Sequence, residues 1–370
     1  MKVLVTGHTG YIGTILTQML LQRGHQVVGV DTGLFAGCTF GADTASDVIT
    51  INSDIRDLTV VQLRAVDAVV HLAGICNDPL GDLLPETTMD INDTATIRLA
   101  ELARDAGVER FVFSSTCSVY GAAEEDWVDE ASPPNPVTPY AVSKYRAEQG
   151  LLALATDRFS PVLLRSATAY GFSPRIRFDL VLNNLTAHAV TTGRVFLKSD
   201  GMAWRPLVHI ADISRAFIAA VEAPREAVHC ETFNVGSTAE NYRVRSIAEI
   251  VRNTVPGSAI AYAEGAAADK RSYRVSFRKI ESRLPNFRPQ WTAMAGALEL
   301  HACYTKYGLA LEDFEGERYQ RLAHLKSLLA AGILDRSLRR LPQPYERMSD
   351  AAGFVPAFRD AQAVDIQQAE

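Results

Sequence analysis

Metal-ligand spacings, cysteine pairs, long apolar runs and basic tracts are all missing from this 370-residue chain. Its eight histidines fall in no ligand-like pattern, so neither a structural nor a catalytic metal is expected. The five cysteines, Cys38, Cys76, Cys117, Cys230 and Cys303, are odd in number, widely separated and without a Cys-x-x-Cys pair. They read as reduced thiols of a cytoplasmic protein rather than as a disulfide frame. No apolar stretch is long enough to cross a bilayer, and the first apolar run already begins at Lys2, which leaves no secretory leader. A net charge of −6 gives no footing for nucleic acid. The arginines near the end, Arg336, Arg339 and Arg340, read as the solvated end of a helix.

What is present begins at once. Lys2-Val3-Leu4-Val5-Thr6 is followed by Gly7-His8-Thr9-Gly10-Tyr11-Ile12-Gly13, a helical stretch, and a second apolar run, Gln26-Val27-Val28-Gly29-Val30, ending on Asp31. Strand, glycine loop, helix, strand and carboxylate in that order suit a dinucleotide. Gly7 permits a sharp turn off the strand, Gly10 leaves room for a pyrophosphate, and Gly13 allows close packing of helix on strand. The helix start around Tyr11 and Ile12 offers amide donors and positive potential. Asp31, 24 residues beyond Gly7, is placed to accept from an adenosine ribose, and Thr32-Gly33-Leu34 carries no arginine for a 2′-phosphate. NAD is therefore expected rather than NADP.

Short buried strands are predicted at 48–52, 68–72, 110–114 and 161–165, with helices at 87–106 and 140–156 between them. That alternation implies an α/β fold of the Rossmann type, a doubly wound parallel sheet with right-handed crossovers. Past residue 170 the rhythm changes. Helical spacing at 178–192, a strand at 195–197, and apolar runs at 207–210 and 232–235 suggest a chain that starts a smaller C-terminal α/β substrate domain, returns to the sheet, and leaves again. The expected division is a nucleotide-binding domain over 1–170 plus about 205–236, and a second domain over 171–204 and 237–340. Residues 341–370, rich in Pro, Gln, Ala and Asp, read as a loosely packed tail, and 315–334 as an amphipathic helix against the small lobe.

A second constellation carries chemistry. Tyr140 and Lys144 lie four residues apart, on one face of a helix whose start is marked by Pro139. A fixed cation beside a phenol moves it toward a working base, and the lysine can also hold ribose hydroxyls. Upstream, Phe113-Ser114-Ser115-Thr116-Cys117-Ser118-Val119-Tyr120-Gly121 leaves a strand end with clustered hydroxyls, one of which can share a substrate oxygen with Tyr140. His209 and Cys117 read as structural residues, and Trp204 either as core or as a ligand-packing ring.

Four segments in order, the Thr6-to-Gly13 loop, His71-Leu72-Ala73-Gly74, the hydroxyl segment and Tyr140-x-x-x-Lys144, make residues 1–280 resemble the extended short-chain dehydrogenase/reductases that act on nucleotide sugars. The resemblance implies bound NAD, a nucleotide-diphosphate sugar as substrate and a homodimer. It implies that Asp54 and Ile55 contact adenine, that Leu72, Ala73 and Gly74 pass the cofactor phosphates, and that Ser114 and Tyr170 lie along the cofactor. Thr116 matches the hydroxyl partner of Tyr140. Asn184, Arg205 and either Arg271 or Arg274 would hold the substrate's diphosphate. The 4,6-dehydratases of that family carry Asp-Glu directly after the catalytic Thr. Cys117 and Ser118 stand there instead, which disfavours water elimination. Ser166-Ala167-Thr168 also departs from the family's aromatic and Asn. The expected activity is epimerisation, most simply at C4, through transient oxidation of a sugar hydroxyl. An NDP-sugar 4-ketoreductase or dehydrogenase is the alternative, followed by a catalytically silent NAD-binding regulator.

Overall fold

The computed structural model describes residues 1–41, 48–121, 127–267 and 272–341. Seven parallel strands form the central sheet, in the spatial order Thr232–Val235, Ser160–Ser166, Arg110–Thr116, Ala68–His71, Lys2–Thr6, Gln26–Asp31, Ile49–Asn52. Chain order reverses between Lys2–Thr6 and Ala68–His71, so a crevice opens beyond their carboxyl ends, where Gly7 and Leu72 follow. The strands are rich in Val, Leu and Phe because both faces are covered. Val3, Val5, Val70 and Val112 pack into one layer and Leu4, Val69, Phe111 and Phe113 into the other.

Polar side chains fix the crevice. Thr6 Oγ1 meets His71 Nδ1 at 2.6 Å and His71 Nε2 meets Thr96 Oγ1 at 2.8 Å, bridging the two strands at the reversal. Burial, with Lys144 adding to it, pulls His71 down to about 3, so the ring is neutral. The helix expected over 87–106 runs as Pro85–Met89 and Ala95–Asp105, joined through a π turn at Asp90–Thr94. The extra residue in that turn aims Asn92 inward. Its amide holds Ile75 through both backbone groups, at 2.8 and 2.9 Å, and donates to Ser143 Oγ at 3.0 Å.

The second lobe contains the helices Val181–Thr192, Val244–Thr254 and Ala293–Lys306 around a core that includes Tyr170, Phe178, Leu182, Ile247 and Tyr304. The strand Trp204–His209 lies outside the central sheet, between Thr168–Tyr170 and Asn241–Arg243. The following helix, Ile210–Glu222, returns to pack on the sheet, and Phe277, Ile280 and Phe287 rejoin the sheet's core. The stretch expected as one helix over 315–334 is shorter, Arg321–Ala330, after a separate turn at Leu311–Glu315. It packs with Leu34, Phe35, Ile75, Leu80 and Leu84 on the sheet-lobe side of the crevice instead of the small lobe, because its apolar Leu322, Leu325 and Leu329 find a matching face there. Arg339 and Arg340 are likewise no helix end. They reach back to Asp57 (2.6 Å) and Gly33 O (3.2 Å), while the Arg336 carbonyl accepts from Thr87. The tail expected over 341–370 lies, apart from Leu341, outside the described residues.

Candidate active site

One cavity of 1260 Å³ follows the crevice from Asp31 and Asp54, past the glycine loop and Tyr140, to Asn184, Lys198 and Arg205. It exceeds the roughly 300–1,000 Å³ of a pocket for a single small ligand, which suits two ligands end to end. Gly7, Gly10, Tyr11, Ile12, Gly13, Ile55, Leu72, Ala73, Gly74, Ser114, Thr116 and Lys144 line it.

The glycine loop is packed as tightly on its own neighbours as a dinucleotide-binding turn needs. Gly7 has φ of +71°, and a Cβ there would come within 2.8 Å of Ala73 N; a Cβ on Gly13 would overlap the Gly7 carbonyl and the His8 backbone. Asp31 is steered to the strand end by Gly33 N (2.9 Å) and Thr9 N (3.2 Å). Asp54 caps the turn Ile55–Asp57 and pairs with Arg56 at 2.6 Å. Burial alone would raise its carboxyl, but Arg56 overrides this and holds it low. Tyr11 contributes more than backbone: its hydroxyl donates to Gly171 O (2.7 Å) and accepts from Asn183 (3.1 Å), tying the loop to the second lobe.

Thr138 caps and Pro139 opens the helix Pro139–Ala153, whose buried face presents Tyr140, Lys144 and Glu148 in successive turns. Glu148 is fully buried and binds Ser115 Oγ (2.5 Å) and Arg165 (2.6 and 2.9 Å), which clamps the helix to the adjacent strands. Tyr140 and Thr116 both line the cavity. Burial holds the Tyr140 phenol above its usual range, while the neighbouring Thr116 side chain and the Arg177 charge act against that. Lys144 was expected to activate this phenol directly. Its Nζ instead donates to Ser114 O at 2.9 Å and lies 4.6 Å from the Phe113 ring centre, and burial brings it down to about 8.

At the substrate end, Asn184 and Arg205 line the cavity. The Asn184 amide donates to Phe178 O (2.8 Å) and Arg205 to Trp204 O (2.8 Å). Two expectations change. Tyr170 is turned away from the cleft into the second lobe's core, edge-on to His209 and seated against Gly296, where a Cβ would collide with its ring. Arg274 is stacked between Trp127 and Trp204, 4.5 and 4.9 Å from the ring centres, instead of lining the cleft. Side chains alternate along extended chain, so it is Tyr273 that faces the cavity, with Ser118 on the same wall. Arg271 lies outside the described residues. Trp204 is thus a partner of arginines, also 5.2 Å from Arg243. His209 stacks on Trp291 at 3.8 Å and meets Glu299 at 2.9 Å, a structural role. Cys117 is buried with its thiol on Arg165 O.

Sequence reasoning missed Arg177, Asp179, Asn77, Cys76 and Arg321, all on the cavity wall. Arg177 is bidentate on Asp179 (2.6 and 3.1 Å), which also accepts from Asn77 (2.7 Å). Burial would raise the Asp179 carboxyl, yet Arg177 and Asn77 keep it well below its usual range. The alternating Arg177-x-Asp179 spacing was the available signal; Arg321, far along the chain, gave none.

The profile of the NAD dependent epimerase/dehydratase family matches residues 3–236. The chain belongs to that family. Its cofactor is NAD, as the family description and the NAD-bound structural neighbours below support. A mouse UDP-glucose 4-epimerase is 31% identical over 307 residues, 72% of this chain and 87% of that protein. MoeE5, solved in complex with UDP-glucuronic acid and NAD, is 29% identical with a TM-score of 0.71, covering 83% of this chain and 99% of its own. DesIV, a dTDP-glucose 4,6-dehydratase from Streptomyces venezuelae solved with NAD and TYD bound, is 25% identical with a TM-score of 0.73, covering 85% of this chain and all of its own. Among the described residues of this family member no helix is long and apolar enough to cross a membrane.

Proposed function

We propose that the protein is a nucleotide-sugar epimerase that inverts a secondary carbinol, most simply C4, and keeps its NAD through the cycle. The carrying observation is that Tyr140, Thr116 and Lys144 share the wall of the cavity that the glycine loop also lines. NAD supplies reversible acceptance of a hydride when bound. Tyr140 takes the hydroxyl proton of the sugar as the carbon is oxidised and returns it on re-reduction. Thr116 holds the same oxygen, and Lys144, fixed on Ser114 O, presents its ammonium to the ribose side. Arg177 supplies positive potential that favours the phenolate as charge develops. We assign Arg205 and Asn184, on the wall of the same cavity, to the diphosphate of the substrate.

The alternative outcome, an NDP-sugar 4-ketoreductase or dehydrogenase, uses the same three side chains with an exchanging cofactor. Asp31 favours NAD and so weighs toward the epimerase. A 4,6-dehydratase is disfavoured because Cys117 is buried on Arg165 O and Ser118 is no acid. Cytoplasmic location and a homodimer belong to the same proposal, carried by the family likeness; sedimentation of the purified chain tests the dimer.

The experiment is turnover with UDP-, dTDP- and GDP-sugars, reading product isomer and NADH absorbance together. Isomer without net NADH supports the epimerase. Net consumption of added NADH moves the assignment to the ketoreductase. Tyr140→Phe is expected to lose about 10²- to 10⁴-fold in kcat while binding NAD normally; full turnover by that variant would exclude the proton transfer.

A further inference from the structure

Arg321 opens the helix Arg321–Ala330, yet its side chain turns into the cavity and is only 9% exposed. The guanidinium lies 4.4 Å from the Phe35 ring centre, with long contacts to Arg175 O (3.4 Å) and Cys76 Sγ (4.0 Å). Among the described residues no carboxylate comes within ion-pair distance of it. Asp179, whose charge it feels, is already committed to Arg177 and Asn77, and Arg177 is a second cation nearby. A buried guanidinium without a counter-ion costs stability, and a ligand anion would offset that cost.

The three contacts say which anion. Phe35 sits on the loop that leaves Asp31; Cys76 follows the Leu72-Ala73-Gly74 turn that abuts Gly7; Arg175 itself donates to Thr9 O in the glycine loop (3.2 Å). Cys76, and Arg175 through Thr9, adjoin the loops at the strand reversal, and Phe35 follows the neighbouring strand, so the guanidinium lies beside the phosphate-binding stretch of the crevice. The segment carrying Arg321 is latched to the same loops. Arg318 donates to Gly37 O (2.9 Å), Tyr319 to Thr39 O (3.1 Å), His324 meets Leu34 O (3.1 Å), and Arg56 donates to Ser337 O (2.9 Å).

We propose that Arg321, presented by a strap over residues 311–341, is the counter-cation of the NAD pyrophosphate and makes the dinucleotide resident. The glycine-loop amides and Arg321, on the wall of one cavity, would hold the phosphates together. Residence rests on the NAD-retaining reading above.

The test uses full-length wild type, Arg321→Gln and Arg321→Lys. Bound NAD after purification, its release rate, its Kd by titration, and the melting shift on adding NAD are measured for each. Arg321→Gln is expected to lose co-purified NAD and to weaken Kd about 10- to 100-fold, with Arg321→Lys between. Its NAD-free form is expected to melt no lower than NAD-free wild type, since a buried charge has been removed. A Kd within threefold of wild type in Arg321→Gln overturns the assignment, as does a rise in KM for the nucleotide sugar with NAD retention unchanged. Rapid NAD loss from wild type would sink the retained-cofactor cycle by itself, while the Kd ratio still judges Arg321.

Discussion

Glu148→Ala tests whether the buried clamp positions the Tyr140 helix. Glu148 is fully buried and Arg165 is 5% exposed; removing the carboxylate strands the guanidinium and the Ser115 hydroxyl, leaving Arg165 only its bond to Tyr120 (3.1 Å). Breaking such a pair from one side costs about 3–5 kcal/mol. A chain of this size unfolds with an entropy of about 0.7 kcal/mol/K, from roughly 2 cal/mol/K per residue, so the melting temperature should fall by about 4–7 °C. The double change Glu148→Leu with Arg165→Met removes both charges and should recover most of that loss, because an apolar replacement is often neutral. Thermal melts followed by circular dichroism, in matched buffer and with NAD saturating, read both values. A Glu148→Ala melt within about 1 °C of wild type, or a double variant no better than the single one, would refute the clamp.

Three further outcomes follow from the cavity. Asp31→Gly should weaken NAD by about 10- to 100-fold while leaving NADP nearly unchanged, since only the former loses charge-assisted ribose bonds; equal losses in fluorescence titrations would count against that role. Gly13→Ala should abolish NAD binding, as its methyl overlaps the Gly7 carbonyl, and calorimetry showing wild-type affinity would contradict the loop geometry. Lys144 is pulled by burial to about 8 from an ordinary 10.5, so the folded state disfavours its ammonium. Stability should therefore rise as pH climbs from about 8 toward 10.5, while kcat declines above about 8 as the cation is lost; a Lys144→Met variant that keeps both slopes would exclude Lys144 as their source.

The sheet was legible because its strands are buried on both faces, so runs such as Val3-Leu4-Val5 and Phe111-Val112-Phe113 announce themselves without alternation. The cofactor half of the site was legible for a related reason: Gly7, Gly13 and Asp31 answer local steric and hydrogen-bonding demands within one strand-helix-strand unit. Long-range placement was not. Arg321 and the arginines near residue 340 gain meaning only through contacts some 250 to 300 residues away, such as Arg340 on Gly33 O at a separation of 307. Arg274 was misassigned because a residue in extended chain faces one side or the other by a parity that composition does not reveal. The π turn at Asp90–Thr94 escaped because it preserves helical spacing of Ala and Leu while rotating Asn92 by the extra residue. Tyr140 and its hydroxyl partner Thr116 were both named from the sequence, but Arg177, which also bears on the phenol, comes from a distant segment.

The bond from Tyr11 to Gly171, with Thr14 on Ser173 (3.0 Å) and Arg175 on Thr9, has a mechanical consequence. The glycine loop is fastened to the very segment by which the chain crosses into its second lobe. The lobes therefore cannot swing apart about that crossing without dragging the loop off its phosphates. A hinge at this crossing would therefore carry the glycine loop along with the second lobe.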